Sequence, residues 1–109
     1  MSLGVHLLID ADDCTAALDE AGVERALVCL VERLALTAVA PPQIRAQADG
    51  VVGIVLISES HISIHTRGRA VHADVFSCRA FDEDLAVRTL REVFRFERCA
   101  VQRVERGAS

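Results

Sequence analysis

The sequence predicts an α+β fold: a two-layer α/β sandwich with a mostly antiparallel sheet and two helices on one face. Two stretches carry apolar residues at helical spacing, and several short apolar runs read as strands. The 109 residues contain no internal repeat and no linker. A chain of this length suits one domain, 1–109, with a modest core.

Val5 to Ile9 is a short apolar run that fits a first strand, ending in the polar Asp10-Ala11-Asp12-Asp13. A helix follows between Ala16 and Leu36. Leu18, Ala26, Leu27, Leu30, Val31 and Leu34 recur at helical spacing, while Glu20, Glu24, Arg25, Glu32 and Arg33 can face water. Gly22 threatens its front end, so the firm part is Val23 to Leu36. Thr37 to Ala40 reads as a second strand stopped by Pro41-Pro42, and Gln43 to Asp49 as a polar loop. Val51 to Ser58 is the third strand and Ile62 to Thr66 the fourth, with Ile62 and Ile64 on one face and Ser63 and His65 on the other. Arg67-Gly68-Arg69 makes a turn into a fifth strand, Ala70 to Cys78. There Val71, Ala73, Val75 and Ser77 oppose His72, Asp74, Phe76 and Cys78. Asp82-Glu83-Asp84 places acids at the positive amino end of a second helix running to Phe94 or Arg95. Cys99 to Val104 fits a last strand.

Composition narrows the function. Apolar residues make up 51% of the chain, which argues against disorder. No apolar run is long enough to span a bilayer, and Met1 to Asp10 lacks a cationic start, so a cytoplasmic protein without a membrane partner is expected. A net charge of -4 with 4% aromatic residues argues against a nucleic-acid surface. Cys14, Cys29, Cys78 and Cys99 show no Cys-x-x-Cys spacing and read as free thiols, and no metal site is visible. All 12 basic residues are arginine. Without lysine, no side chain can hold pyridoxal phosphate as a Schiff base.

The chemistry concentrates in Ile57-Ser58-Glu59-Ser60-His61-Ile62-Ser63-Ile64-His65-Thr66, where polar residues interrupt two apolar runs. Ser60 offers a nucleophile and His65 a possible base. Glu59 to Thr66, preceded by Gly53 and followed by Asp74-Val75-Phe76-Ser77-Cys78, resembles the bacterial S-adenosylmethionine decarboxylase proenzyme family. Gly4-Val5-His6, Asp10, Cys14 and the Arg106-Gly107 ending extend the resemblance over most of the chain.

The resemblance implies self-cleavage between Glu59 and Ser60 into a β chain, 1–59, and an α chain, 60–109. Ser60 would become a pyruvoyl cofactor that binds the substrate amine as a Schiff base. His65 matches the family histidine that promotes processing, and Cys78 the cysteine that donates a proton. His61 and Ser63 would support them from nearby. The implied protein is a homodimer of cleaved protomers that decarboxylates S-adenosylmethionine for spermidine synthesis.

Three departures matter, two bearing on the substrate and one on cleavage. The family's Trp-Pro-Glu is replaced by Arg67-Gly68-Arg69, and the interval from His65 to Cys78 is about two residues short of the family pattern. The His-x-Phe that supplies an adenine-stacking ring corresponds to Ile44-Arg45-Ala46, and a usual serine is Val52, which could slow processing. Arg67 and Arg69 are candidate contacts for a substrate carboxylate. The alternatives are the same machinery acting on L-ornithine or L-arginine, and a non-catalytic regulatory paralogue.

Overall fold

A computed structural model describes residues 3–58 and 60–107. Glu59, the residue expected on the amino side of the cut, lies outside the described residues. Six strands and two helices follow one another as β1 (Gly4–Ala11), α1 (Glu20–Arg33), β2 (Gln43–Gln47), β3 (Gly50–Ile57), β4 (Ser60–Arg67), β5 (Ala70–Ser77), α2 (Glu83–Phe94) and β6 (Ala100–Arg106). The sheet order is β2-β3-β4-β5-β1-β6, and every neighbouring pair is antiparallel.

Strand alternation divides the sheet into two faces. Leu7, Ile9, Val55, Ile57, Ile62, Ile64, Val71 and Val75 are buried on one face with Val23, Leu27, Leu30, Leu90 and Phe94 of the helices. Gly53 marks the closest approach of the layers. A methyl group there would meet Val23 Cγ1 at 2.6 Å and Leu27 Cδ1 at 3.0 Å. Gly53→Val should therefore force the helix off the sheet and cost about 1–3 kcal/mol. A thermal melt should show a drop of several degrees; an unchanged midpoint would mean that the layers can separate without loss.

Both helices start on aspartate caps. Asp19 accepts the Gly22 amide at 2.8 Å and Asp82 the Leu85 amide at 3.0 Å, each satisfying a donor left over in the first turn. Gly22 thus sits inside α1 rather than interrupting it. Ala35, at φ 56°, follows its end, and Arg95, at φ 57°, caps α2.

One assignment changes. Thr37–Ala40 is not a strand but makes a single bridge from Ala38 to Ile57, while Gln43–Gln47, expected as loop, forms β2. Both segments bond the outer edge of β3: Gln43 to Gln47 pair with Ile54 to Gly50, and Thr37 and Val39 bond Ser58 and Leu56. Pro41-Pro42 lies between them. An edge strand is wet on most sides, so β2 needs only Ile44 half-buried and shows little apolar alternation.

The sheet face opposite the helices is open, and its cross-strand rows can be read from the pairing. At the Ser60 end the row is Leu56, His61, Phe76, His6 and Val104. Next come Ile54, Ser63, Asp74, Leu8 and Gln102, then Val52, His65, His72, Asp10 and Ala100. All 4 histidines of the chain lie on this face.

Candidate active site

Ser60 begins β4 directly after the β3–β4 turn, paired with Ile57. The strand pattern points it towards the helix side of the sheet, opposite to His61. Its Oγ lies 3.8 Å from Cys78 Sγ, within reach of a hydroxyl-to-sulfur hydrogen bond. Cys78 falls just past the end of β5 rather than within it. Ser77 Oγ accepts the Arg79 amide at 3.0 Å and so shapes the turn that carries the thiol. Gly4 lets β1 close against this turn: a methyl group there would stand 2.9 Å from Cys78 Cα and collide with the Ser77 carbonyl oxygen.

The structure brings Ser60 and Cys78 together but separates His65 from both. Five residues of extended strand span about 16 Å, and the odd spacing sends His65 to the open face. There it pairs across the sheet with Val52 and His72, its ring 6.4 Å from that of His72. Val52, where the resemblance leads one to expect serine, is therefore a neighbour of His65 rather than of Ser60.

Gly68 and Arg69 form a two-residue turn between Arg67 and Ala70, with Gly68 at φ 59°. A positive φ at the first turn position only is the type II′ pattern of a two-residue hairpin. Arg67 faces the open side and pairs with Asp49 at 3.3 Å. Arg69 Nε instead reaches the Cys14 carbonyl at 3.4 Å, lining a recess of about 850 Å³ with Asp12, Asp13, Arg95 and Arg98. That recess lies at the end of the sheet away from Ser60. Neither arginine is near the Ser60–Cys78 pair.

Near Ser60 on the open face is a polar cluster that the motif did not single out. Asp74 Oδ1 is bonded by His6 Nε2 at 3.1 Å and His61 Nε2 at 3.2 Å. Its Oδ2 accepts a hydrogen bond from Ser63 Oγ. Only the apposition of β1, β4 and β5 collects these groups; the sequence marked His6 and Asp74 as part of the resemblance and His61 and Ser63 as neighbours of Ser60, but not that the four meet.

Among the thiols, Cys14 is buried in the core cluster that also holds Phe94 and Phe96. Burial, with Asp12 and Asp13 nearby, pushes its pKa above the ordinary thiol value despite Arg69. It suits packing rather than proton donation. Among the described residues, no group of His, Cys, Asp or Glu is arranged to hold a metal ion, and no helix is long and apolar enough to cross a membrane.

Comparison with known proteins gives this geometry a context. The family model described as S-adenosylmethionine decarboxylase matches residues 5–107. An S-adenosylmethionine decarboxylase proenzyme of Methanococcus maripaludis is 32% identical over 114 residues, covering 96% of this chain and 90% of that protein. One from Clostridium botulinum is 30% identical over 111 residues, covering 95% and 94%. The crystal structure of the adenosylmethionine decarboxylase from Aquifex aeolicus superimposes with a TM-score of 0.78 at 26% identity, over 99% of this chain and 93% of that one. With the family model spanning nearly its whole length and the fold shared throughout, the chain belongs to the S-adenosylmethionine decarboxylase family.

Proposed function

We propose that this chain is a proenzyme that cuts itself between Glu59 and Ser60, converts Ser60 into a pyruvoyl group and then decarboxylates S-adenosylmethionine. The observation that carries this reading is the Ser60 Oγ–Cys78 Sγ contact of 3.8 Å at the start of β4, in a chain of this family. The cut begins when Ser60 Oγ attacks the carbonyl carbon of Glu59. The C–N bond breaks, the hydroxyl proton passes to the freed nitrogen, and an ester replaces the amide. A base then removes the Ser60 α-proton, the Cβ–O bond breaks, and the 1–59 chain leaves as a carboxylate. Water replaces the remaining nitrogen, which departs as ammonia, and a ketone is left.

These residues fit a pyruvoyl group, because the half-buried Ser60 heads a strand with an acid–base side chain beside it. The ketone supplies a sink for the electron pair released as CO2 leaves the bound substrate. Cys78 holds a proton at Sγ next to that position and delivers it to the carbon that lost CO2.

The base for processing is His65, and it acts from a second copy of the chain. A two-fold axis lying across the strands along the Ser63–Asp74 row would exchange the two ends of the facing sheets. It would lay the second copy's His65 row over the first copy's His61–Phe76–His6 row, beside Ser60. The open face suits such a partner: Ile54, Leu56 and Val104 are 36%, 54% and 42% exposed there around a polar centre. Arg67 would come with His65 and reach the substrate, whereas Arg69 points into its own recess.

Intact-mass analysis tests the cut: two chains, 1–59 and 60–109, with the second blocked by a ketone, are expected. A single uncut chain would leave the regulatory paralogue as the better reading. Mixing tests the shared site. His65→Ala and Ser60→Ala chains should each stay whole alone, yet the His65→Ala chain should be cut in mixed dimers. No cut in verified mixed dimers would place His65 outside the shared site. The substrate is tested by CO2 release from S-adenosylmethionine, L-ornithine and L-arginine; release from either amino acid alone would reassign it.

A further inference from the structure

Asp74 is bonded at both carboxylate oxygens by side chains from two other strands. His6 of β1 and His61 of β4 meet at Oδ1, and Ser63 of β4 meets Oδ2. The cluster extends to β6, because Arg106 Nη1 lies 3.0 Å from His6 Nδ1. A guanidinium can only donate, so His6 Nδ1 accepts, and the ring carries its proton on Nε2, facing Asp74. Phe76 packs beside both imidazoles at 5.5 and 6.0 Å, and Arg106 lies over its ring at 5.3 Å. Four strands are tied across adjacent rows of the sheet, beginning one residue inside Ser60.

Nothing in the cleavage or proton-donation chemistry uses this cluster, but the cut changes what it does. Before cleavage, residue 60 is held on both sides by the β3–β4 hairpin. Afterwards it is the first residue of a free strand end, and such ends fray unless something ties them down. His61 and Ser63 are the first open-face side chains of that strand, and both are tied to Asp74. While they stay there, strand alternation keeps residue 60 on the other face, against Cys78.

We propose that Asp74 is a positioning residue that holds the newly made chain start in register through His61 and Ser63, so that the group formed from Ser60 stays beside Cys78. The proposal rests on the self-cleavage reading above. Backbone amide exchange of residues 61–64 tests it, compared between Asp74 and Asp74→Asn in cut protein and in an uncut Ser60→Ala background. In the cut protein, Asp74→Asn should speed this exchange about tenfold or more, with little change in the uncut chain, where the hairpin still holds the strand. Turnover of cut Asp74→Asn should fall by up to about 10²-fold, mostly in kcat, as expected for a displaced reacting group. Adding His61→Gln should make little further difference.

Equal exchange with and without Asp74 in the cut protein would overturn the proposal, as would equal acceleration in the uncut background, which marks a purely structural role. An uncut wild-type chain would overturn the cleavage reading and this proposal with it. Cut wild type that is indifferent to Asp74 would overturn this proposal alone. If Asp74→Asn does not fold, Ser63→Ala and His61→Gln each remove one donor, leave the carboxylate in place and carry the same comparison.

Discussion

Ser60→Ala is expected to leave the chain whole, as a single species by intact mass, with CO2 release at background. Without Oγ nothing can attack the Glu59 carbonyl, and the peptide amide is otherwise stable. No neighbouring hydroxyl substitutes: Ser63 faces the other side of the sheet and is held by Asp74, and Ser58 precedes the scissile bond. The fold should survive, because Ser60 is half-exposed at a strand start and contributes little to the core. A melting temperature close to wild type would confirm that loss of the cut is chemical rather than structural. Cleavage of Ser60→Ala at the same bond would refute the mechanism.

Cys78→Ala should separate the two halves of the chemistry. Ser60 keeps its hydroxyl, so the chain should still be cut, but CO2 release should fall by about 10²–10⁴-fold, the usual contribution of a positioned acid. Cys78→Ser, which keeps a weaker donor, should lie between. Wild-type turnover in the cut Cys78→Ala protein would mean that the proton comes from elsewhere. Thiol alkylation provides a second check, since Cys14 should react slowly at neutral pH. Its pKa is raised by burial first and then by Asp12 and Asp13, so little thiolate forms there. Inactivation should track modification of Cys78.

Much of this was legible in the sequence because the signals are local. Leu27 and Leu30 recur at helical spacing, Ile62 and Ile64 alternate with Ser63 and His65, and the eight residues from Glu59 to Thr66 carry the family pattern. Such patterns depend on helix pitch and strand pleat, which residues a few positions apart already reveal. The paired faces of β4 and β5 follow from the same rule. The error over Thr37–Ala40 and Gln43–Gln47 has a physical cause. Thr37-Ala38-Val39-Ala40 has the apolar character of a strand, but β3 offers it room for one bridge. The polar β2 takes most of that edge, where burial is not required.

What the sequence determined by itself is the chemistry available: a serine after glutamate at a strand start, a cysteine after Asp-Val-Phe-Ser, and no lysine. The tertiary structure decided which groups meet. Cys78, 18 positions from Ser60, lies at 3.8 Å from it because β4 and β5 form a tight hairpin. His65, only five positions away, is remote because an extended strand carries it about 3.3 Å farther per residue and turns it to the other face. His6, His61, Ser63, Asp74 and Arg106 come from both ends and the middle of the chain. The order β4-β5-β1-β6 gathers them around one carboxylate, and strand order is set by which apolar faces must be buried together, a property of the whole chain rather than of any stretch of it.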